Sequence, residues 1–304
     1  KGCVFVKLGF LTNCFNSSLL DKVFLAKQLG YSQLEVYLTP SSIQELSTFD
    51  TKCLNDKLFE NDIRFSSLAY YQNILTEEKH LRKLHIDNLY HLINFAFENG
   101  IPQISTFLGR DASKSIAENF ILLNSLVRPI VDYAEQLNIK IAIENCSMPS
   151  WDKNGFPSTI SYSPELWDEM FARIPNENFG LNFDPSHLIW QKIDYTKALT
   201  DYYDRIFNIH VKEIFVETDN LSRYGIFGKQ IEREHPYDFG WYSPTLLGLG
   251  SIDWKSIFEI LKERNYSKDL TLEFKNESKS EAEQTLIHSK KYIEEFINRK
   301  DVLA

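Results

Sequence analysis

Apolar and polar residues alternate over several short stretches of this chain, with longer amphipathic stretches between them. The clearest case runs from Asn178 to Asp184, where Phe179, Leu181 and Phe183 fall on one face and Gly180, Asn182 and Asp184 on the other. Side chains alternate across a strand with a period of two, so this segment predicts a strand with one large apolar face and one small or polar face. Pro185 ends the pairing, and His187 follows three residues after Asp184. The same pattern gives strands at Val4–Phe10, Gln33–Tyr37, Ile63–Ala69, Gln103–Phe107, Ile139–Glu144, Phe179–Asp184, Ile206–Lys212 and Leu270–Phe274.

The intervening stretches predict helices. Ser18–Leu29 and Thr76–Asn99 carry apolar residues at helical spacing, and Ser115 with Glu118 forms a capping box that opens a helix running to about Leu137. Ser163-Pro164 predicts a start with Ser as cap and Pro at the first helical position. Further helices are expected at Asp194–Tyr203, Asp253–Arg264 and from Ser278 to about Asn298, with weaker signals between Ser41 and Asn61. Strands alternating with helices over 304 residues, with no linker or composition break, predict a single α/β domain: a (β/α)₈ barrel spanning 1–304. The glycine-rich phosphate fingerprint of a doubly wound sheet is absent after the first strand. One long irregular segment, Glu213–Ser251, follows the seventh strand, where it is expected to lie over the barrel mouth as a lid or binding loop.

Composition narrows the function classes. A net charge of −9 argues against a nucleic-acid partner, which needs clustered Lys and Arg. No apolar run approaches the roughly 20 residues that span a bilayer. The start Lys1-Gly2-Cys3 lacks a basic-then-apolar signal pattern. Cys3, Cys14, Cys53 and Cys146 have no CxxC spacing, so a disulfide framework is not expected and a reducing cytoplasm is. A homo-oligomer is compatible with the composition.

The candidate chemistry lies at the ends of the later strands. In a barrel the apolar strand faces pack under the helices, the opposite faces point inward, and inward residues at C-terminal strand ends gather at the mouth. Glu144, Asp184, His210 and Glu273 occupy such positions on the fifth to eighth strands. A carboxylate at a strand end is more often a cap or a salt-bridge partner, and a solitary inward histidine is more often structural. Four ligand types in register on four successive strands point instead to a shared site. Three carboxylates brought together repel one another unless a positive charge sits among them. A divalent metal relieves that conflict. The oxygen-rich donor set suits Mn²⁺ first, then Mg²⁺ or Co²⁺, with Zn²⁺ allowed. His187 and Lys212 follow proposed ligands closely enough to reach the substrate side. Glu35, inward on the second strand with Gln33 and Tyr37, divides evenly between a substrate contact and a structural role.

The run Gly180–His187, with Ile143-Glu144-Asn145, Asn208–Lys212, Leu249–Trp254 and Leu272-Glu273, resembles the xylose isomerase-like barrels of the sugar phosphate isomerase/epimerase family. Leu68–Asn73 and Thr106–Asp111 resemble that family's third and fourth strand ends. The resemblance implies one divalent metal held by Glu144, Asp184, His210 and Glu273, with Glu144 and Glu273 also exchanging a proton on a carbon next to a carbonyl through an enediolate. His187 would bind a substrate oxygen and Lys212 would offset developing charge, with Arg110, Asn73 and Arg223 as further substrate contacts. The implied substrate is a small sugar or polyol-derived ketone. Tyr224, Trp241 and Tyr242 either wall the sugar or pack the long loop down. Lys275, where a more acidic or His-containing run is expected after Glu273, puts the simple epimerase reading in doubt. Two alternatives compete: a lyase on the same site, inosose dehydratase-like or oxo-glycoside-cleaving, and an apurinic endonuclease. The last needs extra histidines at the third and fourth strand ends, where Tyr70 and Phe107 stand.

Overall fold

Eight parallel strands close into a barrel in this computed structural model, which describes residues 6–46, 51–147, 157–234, 238–276 and 278–297. Val4 and Phe5 of the expected first strand, with Cys3, Glu277 and Asn298, lie outside the described residues. The strands are β1 (Lys7–Leu11), β2 (Gln33–Tyr37), β3 (Arg64–Tyr70), β4 (Gln103–Thr106), β5 (Lys140–Glu144), β6 (Phe179–Phe183), β7 (Ile206–Val211) and, closing on β1, β10 (Asp269–Leu272). Between β7 and β10 the chain inserts an antiparallel hairpin, β8 (Ile214–Val216) with β9 (Tyr242–Pro244), inside the segment expected to be a loop. A run as short as Ile214-Phe-Val216 carries too few alternating positions to announce a strand.

The period-two reading sets the two faces. Phe179 and Phe183 point outward, edge-on to Phe171 and Trp167 of the helix Pro164–Arg173, with ring centroids 6.0 and 6.4 Å apart. Phe179, Leu181 and Phe183 are fully buried, and removing each from water contributes roughly 1.5–3 kcal/mol. That helix starts with Pro164 as foreseen, but Ser163 makes no side-chain capping bond. Ser18, Ser115, Asp194 and Asp253 do cap their helices. The helix opened by Ser115 passes through a wider turn at Leu123–Val127 before continuing as Arg128–Gln136. Pro129 has no N–H to donate back along the helix, which accounts for the break in the regular bonding pattern.

The inward faces are polar and tightly filled. At the N-terminal end of the barrel Arg64 pairs with Gln33 and Asp269, and Ser67 bonds Ser105 at 2.8 Å. Gly180 is required where β6 meets β7, because a Cβ there would sit 2.2 Å from the Arg205 carbonyl oxygen and 2.7 Å from the Phe207 ring.

The long segment after β7 is anchored by a buried carboxylate. Glu213 accepts backbone N–H bonds from Ile214 at 3.1 Å, Gly248 at 3.1 Å and Ile252 at 3.3 Å. Burial raises its pKa, and those bonds oppose the rise. Gly250 lies against it so closely that a Cβ would come within 2.2 Å of Glu213 Oε1. Trp241 is buried and stacks between Phe239 and Trp190, so it packs this segment down and offers no wall to a ligand.

Gly180→Ala is expected to destabilise the fold by about 1–3 kcal/mol through overpacking. A thermal melt should show a fall of several degrees, and an unchanged midpoint would mean that β6 and β7 can part without cost.

Candidate metal centre

The mouth is built from the C-terminal ends of β5, β6, β7 and β10. Glu144 closes β5, Asp184 follows β6, His210 lies near the end of β7 and Glu273 follows β10. One donor atom from each comes within 4.8 Å of all the others. His210 Nδ1 lies 2.8 Å from Glu273 Oε2 and 3.7 Å from Glu144 Oε2. Asp184 is fixed from behind, its N–H bonded to Asn145 Oδ1 at 2.7 Å and its Oδ1 accepting from the Ser186 N–H at 2.8 Å.

Several buried atoms aimed into this space have no partner except one another: His210 Nδ1 against Glu273 Oε2, and His187 Nε2 against Asp184 Oδ2. Buried polar atoms are nearly always paired, because leaving one unpaired costs on the order of 1–3 kcal/mol. Donor atoms converging from separate strands are what a coordinating group would satisfy, so the donor set fits a divalent cation.

Electrostatics divides the acids. Burial, with the Glu273 charge added, raises the Glu144 carboxyl above the ordinary range. Burial also works to raise Asp184 and Glu273, but positive neighbours outweigh it. His187 and Lys212 hold Asp184 low, and Lys212 and His210 hold Glu273 lower still. Lys212 Nζ donates to Glu273 Oε1 at 2.6 Å and lies 4.0 Å from Asp184 Oδ2. Burial disfavours the charged form of His210, yet Glu35, Glu273 and Glu144 raise its pKa well above the usual histidine value.

Beneath the acids lies a layer that sequence reasoning resolved poorly. Glu35 is fully buried beneath the acids. Its Oε1 accepts from the Tyr71 hydroxyl at 2.9 Å, and its Oε2 accepts from Asn208 at 3.0 Å and lies 3.2 Å from His210 Nε2. Asn182 and Thr271 complete this layer through Asn208. At the end of β3 it is Tyr71 that enters the barrel, packed 4.6 Å from the Phe107 ring. Tyr70 points outward and bonds His85 at 2.8 Å. The pairing of β2 with β3 slips by one residue between Leu34 and Glu35, an irregularity that alternation along a single strand does not reveal.

The remaining candidates separate. His187 joins the centre, its Nε2 3.2 Å from Asp184 Oδ2 and 3.5 Å from Glu144 Oε1. Asn73 is committed to the chain around it, donating to the Arg110 carbonyl at 2.9 Å and accepting from the Leu75 N–H at 3.1 Å. Arg110 donates to the Pro157 carbonyl at 3.1 Å. Arg223 is exposed, its guanidinium 5.8 Å from the Tyr224 ring centroid. These three hold loops by contacts of their own and share no bond with the acids. Lys275 is exposed beside Asn276 and Pro244. Among the described residues, no helix is long and apolar enough to cross a membrane.

Comparison with known proteins places the chain among barrels of this shape. The family described as xylose isomerase-like TIM barrel matches residues 23–296, and the chain belongs to it. A curated relative, the inosose dehydratase of Clostridium perfringens, is 28% identical over 142 residues, 46% of each chain. The chain spans about half the length of this relative and of a matched Bacillus subtilis protein. Among solved structures, the IOLI protein with a bound zinc atom superposes with a TM-score of 0.74 at 17% identity, covering 98% of this chain and 100% of that one. L-ribulose 3-epimerase superposes with a TM-score of 0.74 at 13% identity, covering 97% and 95%.

Two outcomes are expected. Metal binding must displace the proton that the surrounding acids hold on His210. That proton is fully bound below the ordinary histidine pKa and leaves only as pH passes the raised one, so affinity should climb with pH through neutrality. Calorimetry in two buffers should show net proton release, and pH-independent binding would take His210 out of the coordination. Glu35→Gln should weaken metal binding about 10–100-fold by loosening the support behind His210. Unchanged affinity in a chelator competition would reduce Glu35 to packing.

Proposed function

We propose that this barrel is a divalent-metal-dependent sugar isomerase or epimerase that moves a proton on the carbon next to a carbonyl. The observation that carries the reading is the convergence of Glu144, Asp184, His210 and Glu273 from four strands, each with one donor atom within 4.8 Å of the others. These four residues would hold the cation, with Mn²⁺ favoured by the three carboxylates. A divalent cation bound there supplies Lewis acidity toward neighbouring carbonyl and hydroxyl oxygens.

The protein's own groups supply the rest. Glu144 and Glu273 are the two acids able to serve as base and acid, one taking the proton from carbon and the other returning it. Their surroundings differ, since Glu273 carries Lys212 on one oxygen while Glu144 faces His187. Lys212 is held positive by its acidic neighbours despite burial, and it offsets negative charge that develops on the substrate oxygens. His187 offers an imidazole nitrogen to a substrate hydroxyl. Tyr71 and Phe107 give the pocket an aromatic wall on the opposite side of the barrel. The substrate read here is a small sugar or polyol-derived ketone, whose carbonyl and hydroxyl oxygens suit the acids and Lys212.

The second reading is a lyase on the same centre, favoured by the inosose dehydratase relative. After the same proton removal, loss of a β-hydroxyl gives elimination. Ketoses and inososes incubated with Mn²⁺ in deuterated water separate the two. Epimerisation keeps the substrate mass apart from hydrogen exchange, and elimination loses the mass of water. Glu144→Gln and Glu273→Gln should each abolish exchange, by at least about 100-fold for loss of a general acid or base. Near-normal exchange in either variant would remove that residue from proton transfer.

A further inference from the structure

A second set of donors adjoins the first. Glu144, Cys146 and His187 also bring one ligand atom each within 4.8 Å of one another, and all three are buried. Cys146 stands two residues beyond Glu144, so the extended chain leaving β5 turns both side chains to the same side. His187 comes from the short helical turn Ser186–Ile189 that follows Asp184. Its Nε2 is buried between the two sets, 3.2 Å from Asp184 Oδ2 and 3.5 Å from Glu144 Oε1, and the imidazole also contacts Cys146.

Glu144 links the two sets. Its Oε1 is the oxygen nearest His187, at 3.5 Å, while its Oε2 is the oxygen facing His210 Nδ1, at 3.7 Å. A carboxylate presenting one oxygen to each of two donor groups is placed to bridge two cations. The groups also differ in kind. The first offers three carboxylates and one imidazole, a hard set. The second replaces two carboxylates by a sulfur and uses a different imidazole, which favours borderline and soft ions such as Zn²⁺, Co²⁺ or Cd²⁺ over Mn²⁺ or Mg²⁺.

We propose that Cys146, His187 and Glu144 form a second, softer cation position beside the first, bridged to it by Glu144. Binding there exchanges the Cys146 thiol proton for the metal, and the proton passes to solvent. The position adds an anion of its own, so a second dication does not have to be balanced by the three carboxylates alone. It requires no particular reaction at the first position and rests on the reading above only through the shared Glu144. An ion seated there would occupy the Glu144 oxygen and the His187 nitrogen that face the substrate. Soft ions in excess would therefore slow a reaction that Mn²⁺ supports.

The test is a titration of chelator-stripped protein with Co²⁺, followed by absorption and by metal analysis after equilibrium dialysis. Two equivalents are expected, one of them bringing a near-ultraviolet thiolate-to-Co²⁺ charge-transfer band. Cys146→Ser should keep one equivalent and lose the band, with the other equivalent weakened at least tenfold. His187→Gln should weaken the band-carrying equivalent too, which guards against a Cys146→Ser chain that does not fold. Saturation of the native protein at one equivalent without the band would overturn the second position and leave the first standing, and so would a band that persists in Cys146→Ser. Failure to bind any Co²⁺ would overturn both positions.

Discussion

The mutual repulsion of acids held in a dry barrel mouth is the constraint on which the rest of this structure depends. Glu144, Asp184 and Glu273 cannot spread apart, because each is tied to a strand end whose register is set by its neighbours in the barrel. Uncompensated charges in such a place cost several kcal/mol each. The chain answers with Lys212 and two imidazoles, which pair with the acids from the side. Lys212 donates at bonding distance to Glu273 and stands 4.0 Å from Asp184, so one ammonium cannot satisfy every acid.

What makes the arrangement rigid is the layer beneath it. Glu35, Asn182, Asn208, Thr271 and Tyr71 bond to one another across five strands or strand ends, and every one of these bonds lies inside the barrel. A fully satisfied polar network in a low-dielectric interior has few alternative arrangements. His210 stands at its top, with one ring nitrogen against this layer and the other among the acids. The imidazole is thus oriented from beneath by the buried Glu35 and Asn182.

The fold was legible in the sequence because barrel strands repeat one simple rule, and that rule assigned the outward Phe179 and Phe183 and the inward Asp184 and His210 alike. The capping box of Ser115 and Glu118 announced its helix through hydrogen bonds that depend on local spacing. The parts that were not legible depend on contacts between strands. The slip between β2 and β3 decides that Tyr71 enters the barrel in place of Tyr70. The depth of a residue in the barrel decides that Glu35 supports the site from below. Alternation gives the side of a strand, but not the height at which a side chain meets its neighbours. Arg110, Asn73 and Arg223 sit close in sequence to strand ends and loops that shape the mouth, yet the bonds of Asn73 and Arg110 run to backbone groups of those loops.

Glu213 gives the long excursion after β7 a fixed beginning and a fixed end, since one carboxylate ties the departing residue Ile214 to the returning Gly248 and Ile252. Between those ties Trp241 seats the span on Trp190, so its ends stay fixed beside the mouth while Ile226, Phe227 and Ile231 stand out in solvent.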